Sequence, residues 1–231
     1  AEQRRLDEAA RAVADSCADQ DAGLAANLGT DRTVGDLEVL RTSLGEEQIS
    51  WLGFSYGTHL GLRYGEAHPA RVRAMVLDGA IDPAGGVVGM LTDQAVAFEA
   101  FLDRTVPDGL YEAVEARLDA APVDHGGREV GPADLAVGSV LAVYDPFRAA
   151  RLTEVLRAAE RGEVADLADA ATTYRASGDF PAYVGTLCAD APFPRGAAEA
   201  ADLAGSVAER APRAGAPVVN EVLPCAWWVP T

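Results

Sequence analysis

The chain has 231 residues, with 36 acidic against 19 basic side chains and a formal net charge of −17. So acidic a surface repels nucleic-acid phosphates and anionic lipid, which excludes both as partners. Hydrophobic content of 49% and charged content of 24% are those of a globular chain with a sizeable core, and no apolar run reaches the roughly 18 residues that span a bilayer.

The N-terminus lacks the apolar centre of a signal peptide. Leu6, Ala10, Val13 and Cys17 instead recur at three- and four-residue steps, which predicts an amphipathic helix over about residues 2–18. After a loop, TVGDLEVLRTSLG predicts a second helix. Thr33 is placed to cap it, Asp36 completes a capping-box pattern, Leu37, Leu40 and Leu44 form its expected buried stripe, and Gly45 suits its stop. QISWLGF predicts a short strand buried on both faces. THLGLRYGEAH predicts a helix that stops at Pro69, and RVRAMVLDG the next buried strand. Helix, strand, tight turn, helix and strand in that order predict a parallel α/β sheet. After Pro83 the pattern changes. Ala84–Gly86 reads as a hinge, helical patterns follow at about 91–104, 107–120, 132–143 and 148–171, and no strand is predicted among them.

Between the first strand and its helix stands G-F-S-Y-G, Gly53 to Gly57. In a nucleophile elbow the serine occupies a strained strand-to-helix turn, and the flanking glycines relieve crowding across it. The turn would present the Ser55 hydroxyl at the carboxyl edge of the sheet, where α/β ligands bind. The backbone N–H of Tyr56 would then be one oxyanion-hole donor. A serine nucleophile needs a base, and none of the three histidines is well placed. His59 lies one turn into the same helix, His68 reads as a helix C-terminal cap, and His125 reads as a loop residue. Asp78, at the end of the second strand, is a candidate acid, with a loop-ordering role favoured.

Cys17, Cys188 and Cys225 form no C-x-x-C pair, so no zinc or redox motif is present. An odd count allows one disulfide and one free thiol, and Cys188 with Cys225 is the pair to test. Three reduced, buried thiols are the other open reading.

The stretch TVGDLEVLRTSLGEEQISWLGFSYGTHLGLRYGEAHPARVRAMVLDGAIDP resembles the core of the tripeptidyl aminopeptidase branch of the α/β-hydrolases, related to proline iminopeptidases. GTLCADAPF at 185–193 and LPCAWW at 223–228 resemble the cysteine-bearing parts of that family's helical lid. The resemblance implies an α/β fold, a partial α/β-hydrolase parallel sheet over residues 1–83 with an inserted helical lid or cap module over 84–231. It implies a serine exopeptidase that releases tripeptides or other short peptides from free N-termini, acylated at Ser55, exported from the cell and needing no cofactor or metal. Lid carboxylates in such enzymes hold the substrate ammonium. Asp190 and Glu221 are the candidates here, with an ordinary solvated carboxylate the plain reading of each.

The family also carries a Gly-Gly-Pro-Gly oxyanion loop before the elbow, and a catalytic Asp and His after the lid. Neither is found in the chain, which therefore resembles the middle of a hydrolase and is expected to lack the acid and base of the triad. Two other readings stay open. One is an esterase on the same scaffold. The other is an inactive interaction protein, self-associating or taking a completing chain at an exposed sheet edge.

Overall fold

The structure is a computed structural model that describes residues 2–20, 22–190 and 192–228. Ala1 and residues 229–231, the outer ends of the two expected regions, lie outside the described residues. In chain order the elements are α1 (Glu2–Gln20), α2 (Ala22–Ala25), α3 (Thr30–Ser43), β1 (Ile49–Phe54), α4 (Tyr56–Ala67) and β2 (Val72–Asp78). There follow α5 (Gly86–Thr105), α6 (Leu110–Ala120), β3 (Val123–His125), β4 (Arg128–Val130), α7 (Pro132–Tyr144), α8 (Pro146–Glu160) and α9 (Ala165–Ala176). The last are α10 (Phe180–Asp190), α11 (Gly196–Ala208), α12 (Gly215–Glu221) and a short 3₁₀ segment, Leu223–Trp227. The chain packs as two units, one of Ala1–Leu91, Pro181–Ala201 and Val222–Thr231, the other of Thr92–Phe180 and Asp202–Glu221.

In the first unit β1 and β2 pair in parallel, Gly53 opposite Leu77 and Phe54 opposite Asp78. One face of this ribbon packs on α4. Trp51 lies over that helix and donates from Nε1 to Gly57 O at 3.0 Å. A Cβ at Gly61 would meet Trp51 Nε1 at 2.4 Å, so glycine sets how closely helix and strand approach. The opposite parity carries Leu52, Phe54 and Val76, which are 62%, 60% and 59% exposed. The expectation of strands buried on both faces is thus corrected to one face. ISWLGF is apolar at both parities, but among the described residues only the Trp51/Gly53 side has a helix over it.

Helix α3 also differs from its expected form. It starts at Thr30, three residues before Thr33, whose hydroxyl instead bonds back to Gly29 O at 3.5 Å. The reason lies far along the chain: the Asp190 carboxylate accepts the Thr30 N–H, which satisfies a donor that helix geometry leaves free. The buried positions of α3 are Thr30, Val34 and Arg41, whereas Leu40 and Leu44 are exposed and Leu37 is half-buried. The buried side faces α4 through polar ties. Tyr64 Oη donates to Glu38 at 2.7 Å, and Arg41 grips both Glu38 oxygens at 2.8 Å. Hydrogen bonding with Arg41 first, and with Tyr64 second, lowers the Glu38 carboxyl to about 2.

The second unit is helical around Val114, Leu118, Leu135, Leu156 and Leu167, all buried. Gly138 brings α7 onto α9, since a Cβ there would lie 3.0 Å from Leu167. Buried Asp134 accepts from Arg128 at 2.6 Å and Arg175 at 2.7 Å. Burial works against its charge, but those two arginines and the Gly131 N–H hold the carboxyl below its ordinary range. Two sequence expectations are corrected here. The stretch expected to hold no strand contains the β3–β4 hairpin, because Gly126 and Gly127 both take positive φ, 64° and 83°, which suits a two-residue turn. The single helix expected over 148–171 is two, broken where Gly162 has φ 91°.

Candidate active site

The turn between β1 and α4 is held from several sides. Ser55 has φ 50° and ψ −121°, and no other non-glycine residue among those described has positive φ. That conformation costs on the order of 1–3 kcal/mol and persists only where the surroundings enforce it. Here the Ser55 N–H donates to Asp78 O at 3.0 Å, at the end of β2. The Ser55 carbonyl accepts from Thr58 N–H at 2.9 Å and from Thr58 Oγ1 at 2.6 Å. Thr58 Oγ1 in turn accepts from Ile81 N–H at 3.0 Å, so one fully buried hydroxyl joins the turn to the loop after β2. A Cβ at Gly53 would lie 2.3 Å from Gly57 O and 2.6 Å from Trp51 Nε1, so this close approach requires glycine.

The result leaves the Ser55 side chain exposed, with no capping bond to α4. The hydroxyl stands at the carboxyl end of the two strands, beside the positive end of a helix. Tyr56 opens that helix, and its N–H belongs to the first turn, where helix geometry provides no partner. Tyr56 also lines a pocket of about 380 Å³ within the first unit. His59, Arg63, Asp82, Met90 and Asp190 also line it. Tyr56 Oη lies 2.5 Å from Thr30 Oγ1, which lies 2.5 Å from Asp190 Oδ2. Burial raises the pKa of the Tyr56 phenol, and the Asp190 charge adds to the rise.

The other residues singled out from sequence fall as follows. His59 lines the pocket with its ring 6.2 Å from that of Tyr56, and its Nδ1 is buried without a hydrogen-bond partner. His68 terminates α4, its ring 5.3 Å from Tyr64. His125 sits in β3 opposite Arg128, a strand residue rather than the loop residue expected. Asp78 supplies its backbone carbonyl to Ser55. Cys188 and Cys225 are joined in a disulfide, both buried, and Cys17 is free. Asp190 serves as the acceptor at the start of α3. Glu221 belongs to the second unit, where burial raises its pKa and its bond to Tyr174 opposes the rise. Sequence reasoning gave Thr30 and Thr58 no role. A threonine three residues after the elbow serine was the one local signal for Thr58, and Thr30 had none.

Residues 14–127 match the family described as alpha/beta hydrolase fold. The chain is 30% identical to tripeptidyl aminopeptidase of Streptomyces lividans over 218 residues, 83% of this chain and 40% of that protein. To serine protease Hip1 of Mycobacterium tuberculosis (strain ATCC 25618 / H37Rv) it is 29% identical over 201 residues, 72% of this chain and 38% of the relative. To carboxylesterase B of Mycobacterium tuberculosis (strain CDC 1551 / Oshkosh) it is 33% identical over 211 residues, 80% of this chain and 41% of the relative. The chain thus spans about two fifths of the length of these curated relatives.

Proposed function

Because residues 14–127 belong to the α/β-hydrolase fold family, we propose that Ser55 is the nucleophile of a serine hydrolase. We infer further that the whole protein is an exopeptidase releasing short peptides, tripeptides among them, from free N-termini. The observation that carries this reading is the backbone of Ser55, an exposed residue forced to φ 50° between a strand and a helix. Strain of this kind at an otherwise unstrained turn is the mark of a functional position. The exopeptidase part draws on the tripeptidyl aminopeptidase relative.

In this mechanism Ser55 Oγ attacks the scissile carbonyl carbon. The base takes the hydroxyl proton and later gives it to the leaving amine. The developing oxyanion accepts from Tyr56 N–H, and water then hydrolyses the acyl-enzyme. The chain spans about two fifths of the length of its relatives, and the reading assigns the general base and its acid to residues outside it. Asp190, on the wall of the pocket beside Tyr56, is the carboxylate suited to a substrate ammonium. Glu221, engaged with Tyr174, is the weaker candidate. Export to an oxidising compartment is supported by the Cys188–Cys225 disulfide. No described helix is long and apolar enough to cross a membrane.

A second reading, an esterase of small substrates, is favoured by the carboxylesterase relative. A panel of tripeptidyl anilides, their N-acetylated forms and short-chain esters separates the two. The exopeptidase reading expects anilide release only from free N-termini. Ester hydrolysis without any anilide release contradicts it and supports the esterase.

A further inference from the structure

The hydrogen bonds beyond Tyr56 run in one direction. A carboxylate only accepts, and a threonine hydroxyl has a single proton to give. Thr30 Oγ1 donates to Asp190 Oδ2 at 2.5 Å, so the Tyr56 hydroxyl must donate to Thr30 Oγ1, also 2.5 Å away. The other Asp190 oxygen accepts the Thr30 N–H. Thr30 is 3% exposed, and in such a setting a chain of hydrogen bonds ending on a carboxylate strengthens each of its members. Asp190 is itself fixed, because it ends α10 two residues after Cys188, which is bonded to Cys225.

We propose that Thr30 and Asp190 are positioning residues for the chemistry at Ser55. They fix the Tyr56 side chain, and through it the first residue of α4, so that the Tyr56 N–H is aimed where an oxyanion forms. An oxyanion donor acts only within a few tenths of an ångström of its place. Tyr56 is otherwise held on its N-terminal side by the strained Ser55, and its own ring is the lever that sets its backbone. The inference rests on Ser55 being the nucleophile. It gives the Asp190 carboxylate a task that requires no charged substrate.

The test uses the full-length protein and an uncharged alkyl fluorophosphonate, whose adduct at Ser55 places an oxygen in the oxyanion site. Thr30→Val keeps the shape and removes the hydroxyl, Thr30→Ser keeps the hydroxyl, and Tyr56→Phe keeps the ring and N–H. The account predicts that Thr30→Val and Tyr56→Phe lower the maximal phosphonylation rate about tenfold with little change in the half-saturating probe concentration. Thr30→Ser restores the wild-type rate. Thermal melting identifies any variant that is merely unfolded, and Tyr56→Phe stands as the second variant if Thr30→Val does not fold. A wild-type protein unlabelled at Ser55 overturns the nucleophile reading. A labelled wild type with Thr30→Val and Tyr56→Phe equally fast overturns the positioning role alone. A loss in Thr30→Val that Thr30→Ser does not restore also overturns it.

Discussion

Helix α4 carries two tyrosines, Tyr56 and Tyr64, and each ties it to α3, but the two ties are built differently. Tyr64 donates directly to Glu38, which Arg41 also grips. Tyr56 reaches Asp190 only through the Thr30 hydroxyl. The partners on α3, Thr30 and Glu38, match the tyrosines step for step, so the helices run side by side in the same direction. At the Tyr64 end the tyrosine reaches a carboxylate that Arg41 of the same helix compensates, and Arg63 of α4 separately pairs with Asp31 of α3 at 2.8 Å. At the Tyr56 end, among the described residues, no arginine bonds to the tie, the next residue back is the strained Ser55, and Tyr56 itself lines a pocket. One helix pair is thus fastened for stability at one end and for geometry at the other.

That division can be broken from either end. The largest effect is expected at the turn. In Gly53→Ala the new methyl would fall 2.3 Å from Gly57 O, which forces backbone rather than a flexible side-chain tip to move. Chemical denaturation should show a loss of about 1–3 kcal/mol, and Ser55 labelling should fall by at least tenfold. Smaller in effect is Tyr64→Phe, which takes one donor from Glu38. It should lower stability by about 1–2 kcal/mol and leave the labelling rate at Ser55 within twofold. If Tyr64→Phe slows labelling as much as Thr30→Val does, the two ends are not separate.

The smallest effect is one of pH. Glu38 is held at about 2 against an ordinary 4.5, so its folded pKa is depressed. Its contribution to stability is fully present above 4.5 and is lost as pH falls from 4.5 towards 2. Glu38→Gln cannot titrate. Its melting temperature should therefore fall less steeply than wild type across that window, while the wild type is the more stable at pH 7. Parallel curves contradict the assignment.

The order helix, strand, turn, helix, strand was legible from residue 33 to 79 because each boundary there is set by neighbours. Apolar runs form β1 and β2, Pro69 stops α4, and glycines suit the turn. What was not legible depends on residues far apart in the chain. The start of α3 is set by Asp190, 160 positions away, so the local capping pattern at Thr33 misled. Leu40 and Leu44 looked like a core stripe because apolar spacing carries no information about Thr30 and Glu38 being taken by α4, or about Arg41 being taken by Glu38 and the loop after α3. The exposed Leu52, Phe54 and Val76 show the same limit, since an apolar strand does not reveal how many of its faces are covered. The β3–β4 hairpin was legible in principle from Gly126–Gly127, but its strands are three residues each and too short for an alternating pattern.

Every role assigned around this turn depends on the strained Ser55 being the nucleophile. The measurement that tests it most directly is treatment of the full-length protein with an alkyl fluorophosphonate, followed by peptide mapping by mass spectrometry, with Ser55→Ala alongside. The account predicts a single phosphonyl adduct on Ser55, absent from Ser55→Ala. A wild-type protein that hydrolyses its substrate yet carries the adduct on another residue, or retains full activity as Ser55→Ala, would contradict it.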